Sequence, residues 1–274
     1  MLDIIKQRKS VRTYLKKPLL EKDLKTVKKI VDTHHLTEGP FGHQIEIAFF
    51  DEPFIDLEKE NEIGTYGFIQ NPQAFIAGAI HNSFYGMVDY GFIFENMILD
   101  LTQAGLATVW LGGTFTRKKF DFLKHDEYII PTITPVGYES KKQSAKESEV
   151  RDHVHADERL PFEQLFFLDS FEQPLTSSHL LTKALEAIRL APSADNKQPW
   201  RVLVKQQAVH FYVERSEVYQ KSLDFDVQAI DMGIALSHFI KGLEALNLKY
   251  KITNDYINIK LPDWEYAFSV KLTA

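Results

Sequence analysis

Residues 88–106 read VDYGFIFENMILDLTQAGL and residues 230–248 read IDMGIALSHFIKGLEALNL. Asp89 and Gly91 of the first stretch match Asp231 and Gly233 of the second, and Leu106 matches Leu248, all at one offset of 142. Upstream of each stretch the pattern repeats. Residues 20–34, LEKDLKTVKKIVDTH, set Leu24, Val27, Ile30 and Val31 three and four apart, one face of an amphipathic helix, and TKALEAIRL at 182–190 repeats the design. The first helix leads into the turn-rich TEGPFGHQ (37–44) and the β-branched, aromatic IEIAFF (45–50); the second leads into APSADNKQPW (191–200) and RVLV (201–204). Helix, turn and strand therefore occur twice. Gln44 and Gln198 match at an offset of 154, so the second copy is shorter by 12 residues between its matched elements. The charged stretch ESKKQSAKESEVRDHVHADER (139–159) is expected to form an exposed excursion ahead of the second copy. The expected architecture is α+β, with halves 1–170 and 171–274 packed about a pseudo-twofold axis, because a fused symmetric dimer keeps its apolar interface.

Composition narrows the function. With 20 Phe and 11 Tyr in 274 residues the chain can bury a large core. Thirty-two basic against 38 acidic side chains give a net charge of −6, which offers nucleic acid no general attraction. The absence of cysteine excludes disulfides, thiolate catalysis and cysteine-based metal centres, and suits a reducing cytoplasm. No stretch approaches ~18 apolar residues, so neither export nor a membrane span is expected. The pair His153-Val154-His155 lacks a third ligand, and no metal site is expected. There is no Gly-x-Ser-x-Gly, no phosphate loop and no dinucleotide-binding glycine fingerprint.

Four constellations carry chemistry. Arg8-Lys9-Ser10-Val11-Arg12 gathers three cations and a hydroxyl, a set that suits a phosphate as well as it suits a solvated helix end. In the loop 191–200 two prolines stiffen the backbone while Ser193, Asn196 and Gln198 offer short polar arms, either for a ring edge or for an ordinary turn. Gly112 and Gly113 end the apolar run from Val109, where a backbone N–H can approach a flat ligand. Arg159-Leu160-Pro161 holds a cation at a proline-stiffened exit.

Together these motifs resemble the nitroreductase family, FMN-dependent α+β flavoproteins built as tight homodimers, and most closely the branch in which one chain replaces the dimer. Arg8, Lys9, Ser10 and Arg12 are similar to that family's N-terminal motif, and Pro192, Ser193, Ala194, Asn196, Gln198, Pro199 and Trp200 to its Pro-Ser-Ser-x-Asn-x-Gln-Pro-Trp loop. The resemblance implies that Arg8, Arg12 and Arg159 hold the FMN phosphate with Lys9 and Ser10 nearby. It also implies that Pro192, Ser193, Ala194, Asn196 and Gln198 reach the flavin from the other half, and that a main-chain N–H from Leu111, Gly112 or Gly113 faces flavin N5. Ala194 replaces a common serine. NADH or NADPH would reduce the flavin, which then reduces a small acceptor such as a nitroaromatic or quinone, without an obligatory catalytic side chain. A flavin-binding or redox-responsive protein without turnover is the alternative. In the first half the loop reads Glu38-Gly39-Pro40-Phe41-Gly42-His43-Gln44, with Gly42 opposite Asn196, and the second half opens on Thr176-Ser177-Ser178-His179, without arginine. One FMN per monomeric chain is therefore expected.

Overall fold

The computed structural model describes residues 2–51, 67–123, 127–176, 178–254 and 263–273; Ser177 lies outside them. The chain is a mixture of helix and mostly antiparallel sheet, in keeping with its α+β reading. It runs α1 (Leu2–Gln7), α2 (Glu21–His34), β1 (Glu46–Phe50), β2 (Ala74–His81), α3 (Phe84–Gln103), β3 (Tyr128–Ile129), β4 (Ile133–Val136), α4 (Ala145–His153) and α5 (Phe162–Leu165). It continues through β5 (Phe166–Leu168), β6 (Ser170–Pro174), α6 (Thr182–Arg189), β7 (Trp200–Lys205), β8 (Ala208–Val213), α7 (Glu217–Ser222), α8 (Val227–Ala245), β9 (Lys249–Thr253) and β10 (Glu265–Thr273).

One sheet is built on β1, β2 and β4, with residues 107–111 bridged antiparallel to the β4 edge at Ala107–Gly137 and Leu111–Ile133. The other carries β7, β8, β10 and β9 in the same antiparallel order, and β9 stands to 107–111 at the offset that relates Asp231 to Asp89. The difference in length between the two matched stretches is a net value. In the first hairpin Phe50 pairs with Phe75, whereas in the second Lys205 pairs with Ala208, with only Gln206 and Gln207 between them, so the second hairpin is much the shorter. The path from Val213 to Asp231 is then longer than that from Ala79 to Asp89, and this extra length holds α7. The chain crosses between the sheets before β5, which lies parallel to β7, so residue 170 falls within a hairpin of the second sheet.

α3 and α8 are apolar on nearly all sides, and such helices belong in the middle of a core. They cross at their glycines. A Cβ on Gly91 would run into the carbonyl oxygen of Ile230, and a Cβ on Gly233 into that of Val88. Because 88 and 230 precede the two glycines by three residues each, the contact is reciprocal, the pattern a twofold axis produces. One turn further on, Glu95 bonds His238 at 2.9 Å and Ser237 bonds Asn96 at 3.2 Å, again with partners exchanged.

The stretch 139–159 is largely exposed, as its charge suggests, with Glu147 its one buried side chain, but it is also docked against the rest of the chain. Ser144 caps α4 by accepting the Glu147 N–H at 3.1 Å, and α4 docks on the segment after α1. Arg12 N–H donates to Glu147 Oε1 at 3.1 Å, Ser144 N–H to Thr13 Oγ1 at 3.0 Å, and Glu147 is buried. The charged face meets solvent, while the N–H groups of residues 12 and 144 tie the stretch to the segment after α1.

Candidate functional site: an arginine cluster beside a glycine-ended strand

The segment Arg8–Arg12 leaves α1 and runs alongside the strand 107–111, with Val11 N–H donating to Thr108 O at 2.9 Å. This places the basic end of the site at the start of the strand that finishes at Gly112 and Gly113. Four residues of extended chain at ~3.3 Å each separate Thr108 from Gly112, about 13 Å.

Arg8 is buried, and its Nε lies 3.9 Å from Glu95 Oε1 without a hydrogen bond. Burial lowers its pKa below the ordinary arginine value, opposed by Glu95 and reinforced by the repulsion of Arg151. Arg159 is lowered likewise, first by burial and then by Arg8 and Arg189, and its Nε is also buried without a partner. Arg12 is lowered by burial, with Glu147 opposing and Arg151 adding to the shift. These guanidiniums repel one another, and Arg8 and Arg159 each keep a buried Nε donor unused, an arrangement that a multiply charged anion would relieve.

The sequence reading missed Arg151. It sits on α4 with Nη1 3.5 Å from Ser10 O and Nη2 bonded to Asp157, where it links the arginines of the 8–12 segment to the turn that ends at Arg159. The signal available for it was Ser144-Ala145-Lys146-Glu147, a helix-start pattern, with Arg151 following one turn after Glu147. Lys9, by contrast, is not brought in; its ammonium pairs with Glu139 at 2.6 Å on the surface.

The loop from the second half meets the cluster at the 155–160 turn. Asn196 donates its amide to the carbonyls of His155 (2.7 Å) and Glu158 (3.0 Å) and accepts from Arg159 Nη1 at 3.3 Å. Gln198 is buried, accepting the Leu160 N–H at 3.0 Å and donating to Asn196 O at 3.1 Å. Ser193 Oγ accepts the Gln198 N–H at 2.8 Å, and Ala194 N–H donates to Asp231 Oδ1 at 3.0 Å. Pro192 is half-buried where the chain leaves α6. The amides expected at a ring edge thus tie the two halves together and aim Arg159, and Asp195, Asn196 and Gln198 all hold positive φ to do so.

At the other end, Leu111 N–H is engaged by Ile133 O at 3.0 Å, which removes Leu111 from the three N–H groups considered for N5. Among the described residues no hydrogen bond is made by the N–H groups of Gly112 or Gly113. A Cβ on Gly113 would meet nothing within 4 Å, and one on Gly112 would touch only Thr132 and Phe225 at van der Waals distance. Arg117 reaches Gly112 O and packs its guanidinium between Phe115 and Phe225, at 4.8 and 5.2 Å from their ring centres. Among the described residues no group of three or more His, Asp or Glu side chains could hold a metal ion, and no helix is long and apolar enough to cross a membrane.

Residues 1–242 match the family model described as "Putative TM nitroreductase", and the chain belongs to that nitroreductase family. Among solved structures, one described as a putative nitroreductase of Thermotoga maritima is 21% identical, with 99% of this chain and 92% of that one covered at a TM-score of 0.60, a likeness in fold. A nitroreductase family protein of Clostridium difficile is 19% identical over 60% of this chain and 95% of its own, at a TM-score of 0.42. An FMN-dependent nitroreductase of the same species is 15% identical over 54% and 94%, at 0.39. No match is found among curated proteins.

Proposed function

We propose that the chain is an FMN-dependent oxidoreductase using NADH or NADPH, active as a single chain whose halves, 1–170 and 171–274, are a duplicated pair. The observation that carries the reading is the convergence of Arg8, Arg12, Arg151 and Arg159, with two buried Nε donors left without partners, at the head of a strand that ends in two glycines. That donor set fits a phosphate at one end and a flat ring system at the other. When bound, FMN supplies the hydride chemistry, at its N5.

The protein's part is binding and orientation. Arg8 and Arg159 would hold the phosphate, with Arg12 and Arg151 completing the positive field. Glu95 steadies Arg8 from behind and also accepts the Trp110 indole N–H at 2.8 Å, so one buried carboxylate fixes both the phosphate end and the strand. Asn196 orients Arg159 and Gln198 fixes the turn before it. Gly112 or Gly113 would supply the backbone donor at the ring, and the arginine field would favour negative charge on it. A small acceptor substrate such as a nitroaromatic or quinone and a cytoplasmic setting complete the proposal.

The test is optical. Purified protein reconstituted with FMN should be yellow and hold one flavin per chain as a sedimenting monomer, and anaerobic NADH or NADPH should bleach the long-wavelength band within seconds. A protein that stays colourless overturns the flavin assignment; persistent colour with both donors points to the binder without turnover; two flavins per chain overturn the asymmetry between the halves.

A further inference from the structure

The loop 38–44, which corresponds in the first half to the 192–198 loop, lies beside a different set of groups. Asp89, fully buried on α3, accepts the Phe41 N–H on Oδ1 at 2.9 Å and the His43 N–H on Oδ2 at 3.0 Å. Its Oδ2 also lies 2.9 Å from His43 Nδ1. A carboxylate only accepts, so the proton sits on Nδ1 and Nε2 is left as the acceptor. Nε2 is 3.3 Å from Ser83 Oγ, whose own acceptor side is engaged by the Gly86 N–H at 3.0 Å, so the free partner of Nε2 is the Ser83 O–H. Nucleophile, base and orienting carboxylate stand in series, at the looser spacing an unliganded pair shows.

The second half provides an internal control. It keeps the aspartate, Asp231, which caps the loop through Ala194 N–H, but has Lys197 at the position of His43 and Phe225 at that of Ser83. The capping of α3 by Ser83 is taken over in α8 by Asp226, one residue along, so the second half keeps the aspartate and a helix cap but has neither a histidine nor a hydroxyl in series with them. Ser83 also lines a cavity of about 480 Å³ at the N-termini of α3 and α8, with Phe84, Leu223, Phe225 and Val227 as its apolar side, a volume that admits a small organic molecule. Phe84 and Tyr85, in the first turn of α3, have N–H groups without intrahelical acceptors, a source of donors for a developing oxyanion.

We propose that Ser83, His43 and Asp89 form a serine esterase site for small carboxylic esters, separate from the arginine cluster. Ser83 Oγ bonds to the acyl carbon while its proton passes to His43 Nε2. The bond from that carbon to the alcohol oxygen breaks, and the alcohol leaves with the proton. Water, deprotonated by His43, then bonds to the acyl carbon, the bond from that carbon to Ser83 Oγ breaks, the acid is released and the proton on His43 returns to Ser83 Oγ. Asp89 holds the His43 ring in the required tautomer and is a positioning residue.

A fluorophosphonate probe tests this directly, because it forms an Oγ–P bond with loss of fluoride only at an activated serine. Intact-mass and peptide analysis should find one adduct per chain, on Ser83, and the protein should hydrolyse p-nitrophenyl acetate. Ser83→Asn keeps a side-chain cap on α3 and should lose both activities, with its thermal unfolding and flavin content unchanged. His43→Gln should slow labelling at Ser83 at least a hundredfold. Absence of an adduct on Ser83 in the folded wild-type protein, or equal labelling rates in the wild type and His43→Gln, overturns the proposal. Neither outcome touches the flavin reading, which rests on the arginine cluster and the strand that ends at Gly112 and Gly113.

Discussion

The loops 38–44 and 192–198 leave equivalent helices and enter equivalent strands, and each is capped by an aspartate of a central helix, Asp89 or Asp231. Their polar side chains nevertheless have opposite uses. In the second half Asn196 and Gln198 reach across to the first half and brace the turn before Arg159. In the first half Gly42 offers no side chain, Phe41 packs on Tyr85 and Phe268, and the polar ring, His43, turns back onto Asp89. The comparison teaches that like scaffolds fix where a loop stands and leave what it does to a few side chains.

The largest expected effect tests whether the scaffold is symmetric at all. Gly91→Ala and Gly233→Ala each drive a methyl into backbone, and each should cost about 4 kcal/mol or more in urea unfolding, by similar amounts. If one is tolerated and the other is not, the crossing is not reciprocal in energy.

Acid sensitivity should separate the sheets next. In β8 the buried His210 takes the register position that Ile76 holds in β2, and burial, with Lys205 and Lys271, lowers its pKa to about 4. A histidine held neutral contributes stability that is complete above its ordinary ~6.5 and is lost as pH falls through about 4, worth on the order of 3 kcal/mol. His210→Ile should flatten that part of the pH–stability curve; an unchanged curve would place the acid sensitivity elsewhere. Ser269, bonded to His210 at 2.6 Å, keeps Tyr266 as a partner at 2.7 Å.

At the arginine cluster, Arg12→Ala or Arg151→Ala should weaken FMN by ~1.5 to 3 kcal/mol in a fluorescence titration while riboflavin affinity changes much less. Equal losses for both ligands would remove the phosphate from that end.

The smallest effect concerns the two capping aspartates. Burial raises the pKa of Asp231 well above the usual carboxylate range, with the Ala194 N–H as the opposing influence, and its Oδ2 is buried without a partner. Its stabilising contribution is that of the neutral form, complete below ~3.9 and lost as pH rises through the folded value. Asp231→Asn should therefore stabilise by about 1 to 2 kcal/mol at pH 8 and do nothing near pH 3.5, read as a shift in unfolding midpoint. Asp89 is raised less decisively, since two backbone N–H groups and His43 oppose its burial, and Asp89→Asn should destabilise instead.

The fold was legible because Asp89, Gly91, Asp231 and Gly233 serve the crossing and its caps, and such positions have no alternatives. The arginines at 8, 12 and 159 were legible as an unusual density of cations. Arg151 and Glu147 were not, because their burial depends on α4 docking onto a segment far back in the chain, and a charged run carries no mark of what will cover it. Lys9 lies in the same dense run, but a side chain's direction depends on the bridge between Ser10 and Thr108, which no local pattern announces. The Ser83–His43–Asp89 series is drawn from a loop, a helix cap and a helix interior without a motif, and only the fold assembles it.

The interlocked glycines of α3 and α8 also set a schedule. During synthesis α3 emerges with its apolar surface complete, yet the groove that receives it belongs to α8, encoded later by the full offset of 142 that separates Gly91 from Gly233. At the ribosome's ~5 to 20 residues per second that delay is roughly 7 to 30 seconds. For that time the nascent first half has a wet, greasy helix and no mate, a natural landing place for a holdase chaperone and a hazard for any variant that slows the ribosome further.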